Sequence, residues 1–141
     1  MPPHTPAERA LRFVLRLNGL ITCLALVAIF MPLEWMNDTH RRLGLGDLPR
    51  GPIFEYLART VSAMYVIHGL LCLLLATDVR RFGPIITFVA SIELCFAALV
   101  LWIDRRAQMP VAWTLIEAPL IVLFSGTTLA LRCRAARARP D

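Results

Sequence analysis

Four long apolar blocks, separated by short polar stretches, dominate the pattern of this chain. They run from about Phe13 to Leu33, about Tyr56 to Thr77, about Pro84 to Ile103 and about Pro110 to Leu131. Each is continuous rather than alternating and is too long for a buried strand, so each predicts a helix. About 20 residues at about 1.5 Å rise give about 30 Å, the thickness of bilayer hydrocarbon. The connections are too short for soluble crossovers, so consecutive helices should pack antiparallel. The expected fold is all-α, an antiparallel four-helix transmembrane bundle occupying a single membrane domain, residues 1–141.

The polar stretches carry the expected punctuation. Met1 to Thr5 is Pro-rich and predicted disordered, with a helix opening over Pro6 to Arg12. The first block resembles the start of a signal peptide, but it ends Phe30-Met31-Pro32-Leu33, without a small-x-small cleavage pair, and is read as a spanning helix. Residues 34–55 form the one substantial loop, on the outer side. Trp35 suits the interface there, and Asp38 or Thr39 is expected to cap a short surface helix. Gly44, Gly46, Pro49, Gly51 and Pro52 then break regular structure. Gly44-x-Gly46 has no third glycine and no following Lys-Ser/Thr, so it is not a phosphate loop. Asp78, Arg80 and Arg81 with Gly83-Pro84 make a tight turn, Asp104-Arg105-Arg106 closes the third block, and residues 132–141 form a basic tail.

Composition agrees with this picture. Of 141 residues, 57% are hydrophobic and only 18% charged, against about 25% charged in soluble domains. Mean hydropathy is +0.63. The net charge of +5 comes entirely from arginine, since the chain has no lysine. Those arginines flank apolar blocks singly or in pairs, as membrane-edge anchors do, which argues against nucleic acid as a partner. Placing Arg9, Arg12, Arg16, Arg80, Arg81, Arg132, Arg134, Arg137 and Arg139 in the cytoplasm leaves Arg41, Arg42, Arg50, Arg59, Arg105 and Arg106 outside. The excess favours both termini in the cytoplasm.

Cys23, Cys72, Cys95 and Cys133 show no CxxC spacing, which excludes the usual redox pair and zinc ribbon. The first three, inside apolar blocks, are read as small apolar fillers. His68 is the only histidine in an apolar block, so a bis-histidine haem is not expected. No cofactor and no metal are expected, and Ser62, Ser91 and Ser125 lack a nucleophile-elbow motif.

Three ionisable residues sit deep in the apolar blocks: His68, Glu93 and Glu117. A charge at the bilayer centre costs about 2.5–3.5 kcal/mol on insertion scales, so such groups turn to the bundle interior and find partners. Counted at about 1.5 Å per residue, the three lie at overlapping depths. Tyr65 shares the face of His68 at i−3, and Arg59 one helical stretch outward comes near the level of Glu117. Glu55 and Arg59 form a favourable i,i+4 pair. Asn18 and Thr22 add polar groups on the first helix. Pro119 frees a backbone carbonyl near Leu115, and Ala90, Ala97 and Ala118 allow close helix approach or leave room for a ligand. The expected ligand-binding set is His68, Glu93 and Glu117, with Tyr65 and Arg59 beside them.

The whole chain resembles small four-helix bacterial membrane proteins of uncharacterised activity, through Leu43-Gly-Leu-Gly-Asp-Leu-Pro49, Tyr56-Leu-Ala-Arg59, Asp78-Val-Arg-Arg-Phe82 with Pro84, and Glu117-Ala-Pro119. Its layout is similar to that of the DoxX-like proteins and, more distantly, to four-helix sterol-isomerase relatives, which place acidic groups and a histidine in a membrane cavity. The motifs do not match residue by residue, so the resemblance implies a bacterial inner membrane and no catalytic assignment. The leading expectation is a small membrane protein that binds a lipid-like or small ligand at an intramembrane polar site. The alternatives are an accessory subunit of a membrane complex, or a proton-coupled transporter acting as an oligomer, although no internal repeat marks two inverted halves.

Overall fold

The computed structural model describes residues 5–138. Met1 to His4 of the stretch expected to be disordered, and Arg139 of the basic tail, lie outside the described residues. Six helical segments and no strand occur among the described residues: α1 (Pro6–Cys23), α2 (Leu26–Phe30), α3 (Leu33–Arg42), α4 (Pro52–Leu75), α5 (Gly83–Arg106) and α6 (Val111–Arg137). The continuous path of α1 and α2, together with α4, α5 and α6, gives four helices long and apolar enough to cross a membrane. The protein is all-α, a four-helix transmembrane bundle.

Proline marks the starts. Pro6 and Pro52 open α1 and α4, Pro84 lies in the first turn of α5, and Pro32 and Pro110 are the N-caps of α3 and α6. Each occupies a position where the missing N–H has no helical partner to lose. Thr5 adds a capping box. Its hydroxyl accepts from the Glu8 amide at 3.2 Å, and the Glu8 carboxylate accepts from the Thr5 amide at 2.9 Å.

The first crossing is not one straight helix. Around Leu24 and Ala25 the backbone bonds tighten to i−3: Leu24 donates to Ile21 at 3.1 Å and Ala25 to Thr22 at 3.2 Å. The Thr22 hydroxyl donates back to the carbonyls of Asn18 at 2.8 Å and Gly19 at 3.2 Å, a contact that bends helices. The second half, α2, ends at Phe30, short of the expected Leu33.

The connection over residues 34–55 holds more helix than expected. α3 runs through Asp38 and Thr39, so neither caps it, and Pro32 begins it instead. It ends in a Schellman turn: Leu45 donates to the His40 carbonyl at 3.1 Å, with Gly44 at φ 76° supplying the left-handed residue. The chain then folds back, with the Leu48 amide on Asn37 Oδ1 at 2.6 Å and the His40 ring on the Gly46 carbonyl at 3.0 Å. α4 and α6 also overrun their apolar blocks, α4 by starting at Pro52 and α6 by continuing through the basic tail to Arg137.

The closest helix pairs are α5 with α6 and α1 with α4, and α1 also packs along α6. α4 and α5, although consecutive, are not one of these close pairs. Cross-links at the ends fix antiparallel directions. The start of α1 meets the end of α4 through Glu8 and Arg80 at 2.8 Å. The end of α6 meets the start of α5 where Arg132 donates to the Gly83 carbonyl at 3.3 Å. α1 and α4 cross on glycine: a Cβ on Gly19 would lie 2.8 Å from the Gly69 carbonyl, and one on Gly69 would lie 2.7 Å from the Gly19 carbonyl. Two bare backbones in contact are the small-residue packing that membrane helices use in place of a hydrophobic driving force.

The buried core is small, with Leu11, Leu15, Leu75, Ala76, Val79 and Ile86 clustered toward the end where α1 begins. Large apolar side chains such as Phe13, Leu24, Phe30, Phe88 and Val111 point outward. So large an exposed apolar surface is stable only in lipid.

Candidate functional site

The sparse α4–α5 seam leaves a cavity of about 470 Å³ in the middle of the bundle. α1 contributes Asn18, Ile21 and Thr22, and α4 contributes Val61, Met64, Tyr65 and His68. Glu93 and Phe96 come from α5, and Glu117, Leu120, Ile121 and Phe124 from α6. His68, Glu93, Glu117 and Tyr65 therefore all line one void. Val61, Met64, Phe96 and Leu120 are exposed as well as cavity-lining. The cavity therefore opens sideways, toward the lipid tails.

Two polar clusters interrupt its apolar wall. In the deeper one, His68 Nε2 lies 3.2 Å from Glu93 Oε1, bridging α4 and α5 where their backbones do not pack closely. The same nitrogen is 3.4 Å from Cys72 Sγ, one turn further along α4. Asn18 Nδ2 donates to that sulfur at 3.8 Å from α1. Three helices thus meet on one chain of contacts running Asn18, Cys72, His68, Glu93.

The second cluster surrounds Glu117. Trp113, one turn earlier on α6, donates its indole N–H to Glu117 Oε2 at 2.5 Å. The Tyr65 hydroxyl lies within interaction range of the same carboxylate. Tyr65 and His68 occupy one face of α4 at i,i+3 spacing, so that helix serves both clusters.

Arg59 does not join them. Its guanidinium is held by Glu55, with Nε–Oε1 at 3.0 Å and Nη2–Oε1 at 2.8 Å. It also donates to the backbone carbonyls of Ile29 and of Met31, the latter at 3.2 Å. The end of the first crossing has carbonyls with no helical partner, and these draw the arginine away from the level of Glu117. Trp113, which sequence reasoning passed over, occupies the place beside Glu117 instead. Its i,i+4 spacing to Glu117 was the available signal.

Cys72 is the second residue that sequence reasoning missed. It is buried, as a filler would be, but its sulfur faces the ionisable pair. The donor atoms of His68, Cys72 and Glu93 all lie within 4.8 Å of one another. The absence of CxxC speaks only to one kind of thiol site; His68-x-x-x-Cys72 places two donors on one helical face.

Outside the spans, the connection between α4 and α5 carries its own electrostatics. The Asp78 carboxylate accepts from the amides of Arg81 at 3.0 Å and Arg80 at 3.1 Å. The Arg81 amide contributes most to holding its carboxyl below the ordinary value of 3.8. Arg80 is pushed above its ordinary range, chiefly by its hydrogen bond to Glu8.

Fold and site together define a multi-pass membrane protein with a polar-spotted cavity inside its helical bundle. Comparison of the chain with protein-family models, curated proteins and solved structures finds no match.

Proposed function

We propose that this protein resides in a bacterial cytoplasmic membrane with both termini inside, and that it holds a lipid-like or small amphiphilic molecule in the central cavity. The observation that carries this reading is the pairing of an apolar 470 Å³ void with His68, Glu93 and Glu117 on its wall. Pockets for small organic ligands span about 300–1,000 Å³, with few polar groups set in apolar walls. A lateral opening between exposed apolar side chains gives such a molecule access from the bilayer. The arginine excess beside the termini and the α4–α5 connection supports the orientation, and the sequence's resemblance in layout to DoxX-like proteins supports the bacterial setting.

In this reading His68 and Glu93 receive the polar end of the ligand, by donating or accepting hydrogen bonds. Glu117, steadied by Trp113, holds a second polar group nearer the end where α6 begins. Native mass spectrometry of gently extracted protein tests it. Wild type should carry a bound small molecule, and Glu93→Gln and His68→Ala should retain several-fold less. Ile121→Trp, which adds bulk to the cavity wall one turn from Glu117, should displace it as well. Bare protein in every case, wild type included, would rule the reading out.

A further inference from the structure

We propose that His68, Cys72 and Glu93 form a binding site for a transition-metal ion, with Zn²⁺ the best match to the donor set. This goes beyond a ligand in the cavity and does not require one, because it stands on the three donors alone.

Spacing is the first argument. Zn²⁺ binds nitrogen at about 2.0–2.1 Å, carboxylate oxygen at about 2.0–2.2 Å and thiolate at about 2.3 Å. Around a tetrahedral centre those lengths put nitrogen and oxygen about 3.3 Å apart, and nitrogen and sulfur about 3.6 Å apart. The observed separations are 3.2 Å for His68 Nε2 to Glu93 Oε1 and 3.4 Å for His68 Nε2 to Cys72 Sγ. Two edges of the coordination polyhedron are therefore already close to length. The third, between sulfur and carboxylate, lies within 4.8 Å and closes by side-chain rotation.

Charge is the second. Cys72 binds as thiolate, releasing its proton, and Glu93 binds as carboxylate. With neutral imidazole, two negative donors cancel a divalent ion, so the loaded site carries no net charge. That matters in hydrocarbon, where an unpaired charge is costly to bury.

Ligand type is the third. Thiolate and imidazole together favour zinc, copper or iron over the hard cations, and redox-silent Zn²⁺ imposes no geometry of its own. The protein supplies three donors, so one position of a tetrahedron remains. His68 and Glu93 line the large cavity and Cys72 does not, which directs that fourth position into the cavity. Asn18, at 3.8 Å from the sulfur, steadies the thiolate from α1.

Cobalt substitution tests the site on the full chain. Reduced protein in detergent, stripped with a chelator, is titrated with Co²⁺. One equivalent should give the near-ultraviolet charge-transfer absorption of a cobalt–thiolate bond and the intense visible bands of a four-coordinate ion. One equivalent of Zn²⁺ should erase both. Cys72→Ser should lose the charge-transfer band, while His68→Ala and Glu93→Gln should bind Co²⁺ at least ten-fold more weakly. A variant with Cys23, Cys95 and Cys133 all changed to Ser should keep the full spectrum, which guards against misfolding of Cys72→Ser. Absence of the thiolate band in wild type, or its loss from the triple variant, would overturn the proposal. Retention of a small molecule by metal-stripped protein in native mass spectrometry reports separately on the cavity ligand.

Discussion

Glu8 at the start of α1 and Arg80 beyond the end of α4 form a two-pronged ion pair, Nε to Oε1 and Nη2 to Oε2 both at 2.8 Å. Glu8 is almost fully buried, at 1% exposure, so the arginine and the Thr5 amide take the place of water around its carboxylate. One residue thus closes a helix cap and ties two crossings together. Glu8→Gln keeps the return bond to Thr5, since glutamine also serves in a capping box, but loses the ionic partner. Glu8→Ala loses both. Thermal unfolding in detergent should rank wild type above Glu8→Gln above Glu8→Ala. Thr5→Ala, which removes only the cap, should cost about 1 kcal/mol. Equal melting points for the two Glu8 variants would show that the cross-link, and not the cap, carries the effect.

The glycine crossing gives an experiment with opposite signs at two sites. Replacing glycine by alanine within a helix normally stabilises by about 0.8–1.0 kcal/mol. Gly126 in α6 has no atom within 4 Å of an added Cβ, so Gly126→Ala should show that gain. At Gly69 the added carbon would sit 2.6 Å from Cys23 Sγ, 2.7 Å from the Gly19 carbonyl and 2.7 Å from Thr22 Oγ1. Backbone on one side leaves little to yield, and overpacking costs about 1–3 kcal/mol. The clash outweighs the helix gain, so Gly69→Ala should lower stability in denaturant titration while Gly126→Ala raises it. A stabilising Gly69→Ala would mean that α1 and α4 separate more easily than their contact implies.

The spans were legible because hydrocarbon thickness sets their length, and Pro6, Pro32, Pro52, Pro84 and Pro110 sit where backbone chemistry starts helices. The shared depth of His68, Glu93 and Glu117 followed from rise per residue, and all three line the cavity. What stayed illegible depended on contacts between helices. Arg59 has several acceptors within reach at the level of the sequence, and only the folded position of Ile29 and Met31 shows which it takes. The bend near Leu24 follows from Thr22 bonding back to its own helix, an option that every membrane threonine has. Cys72 reads as filler until α5 brings Glu93 beside its neighbour His68.

The α4–α5 connection should show an acid-dependent stability increment through Asp78. Its folded value lies below the ordinary 3.8, because the Arg81 and Arg80 amides bond the ionised form. A depressed carboxyl contributes stability that is complete above the unfolded value and disappears as pH falls through the folded one. Asp78→Asn keeps an acceptor oxygen but no charge. Wild type should therefore unfold at a higher temperature than Asp78→Asn at pH 7, and the gap should shrink as the pH falls below 3.8 and through the lower folded value. A gap unchanged across that range would locate the effect in packing rather than charge.

Arg59 separates the architecture at the end of the first crossing from the chemistry of the cavity. It anchors the carbonyls of Ile29 and Met31 while paired to Glu55, and it does not line the void. Hydrogen bonds to charged donors contribute about 1.5–3 kcal/mol when sheltered, so a partly exposed arginine should be worth about 1–2 kcal/mol here. Arg59→Ala should lower stability by that amount. Arg59→Lys should recover little, because a point charge cannot span two carbonyls and a carboxylate as the planar fork does. Both variants should retain the cavity ligand as wild type does under conditions where they are folded, whereas Glu117→Gln should weaken retention with little loss of stability. Loss of ligand in folded Arg59→Ala would instead place the arginine in the binding site and make the end of the first crossing part of its wall.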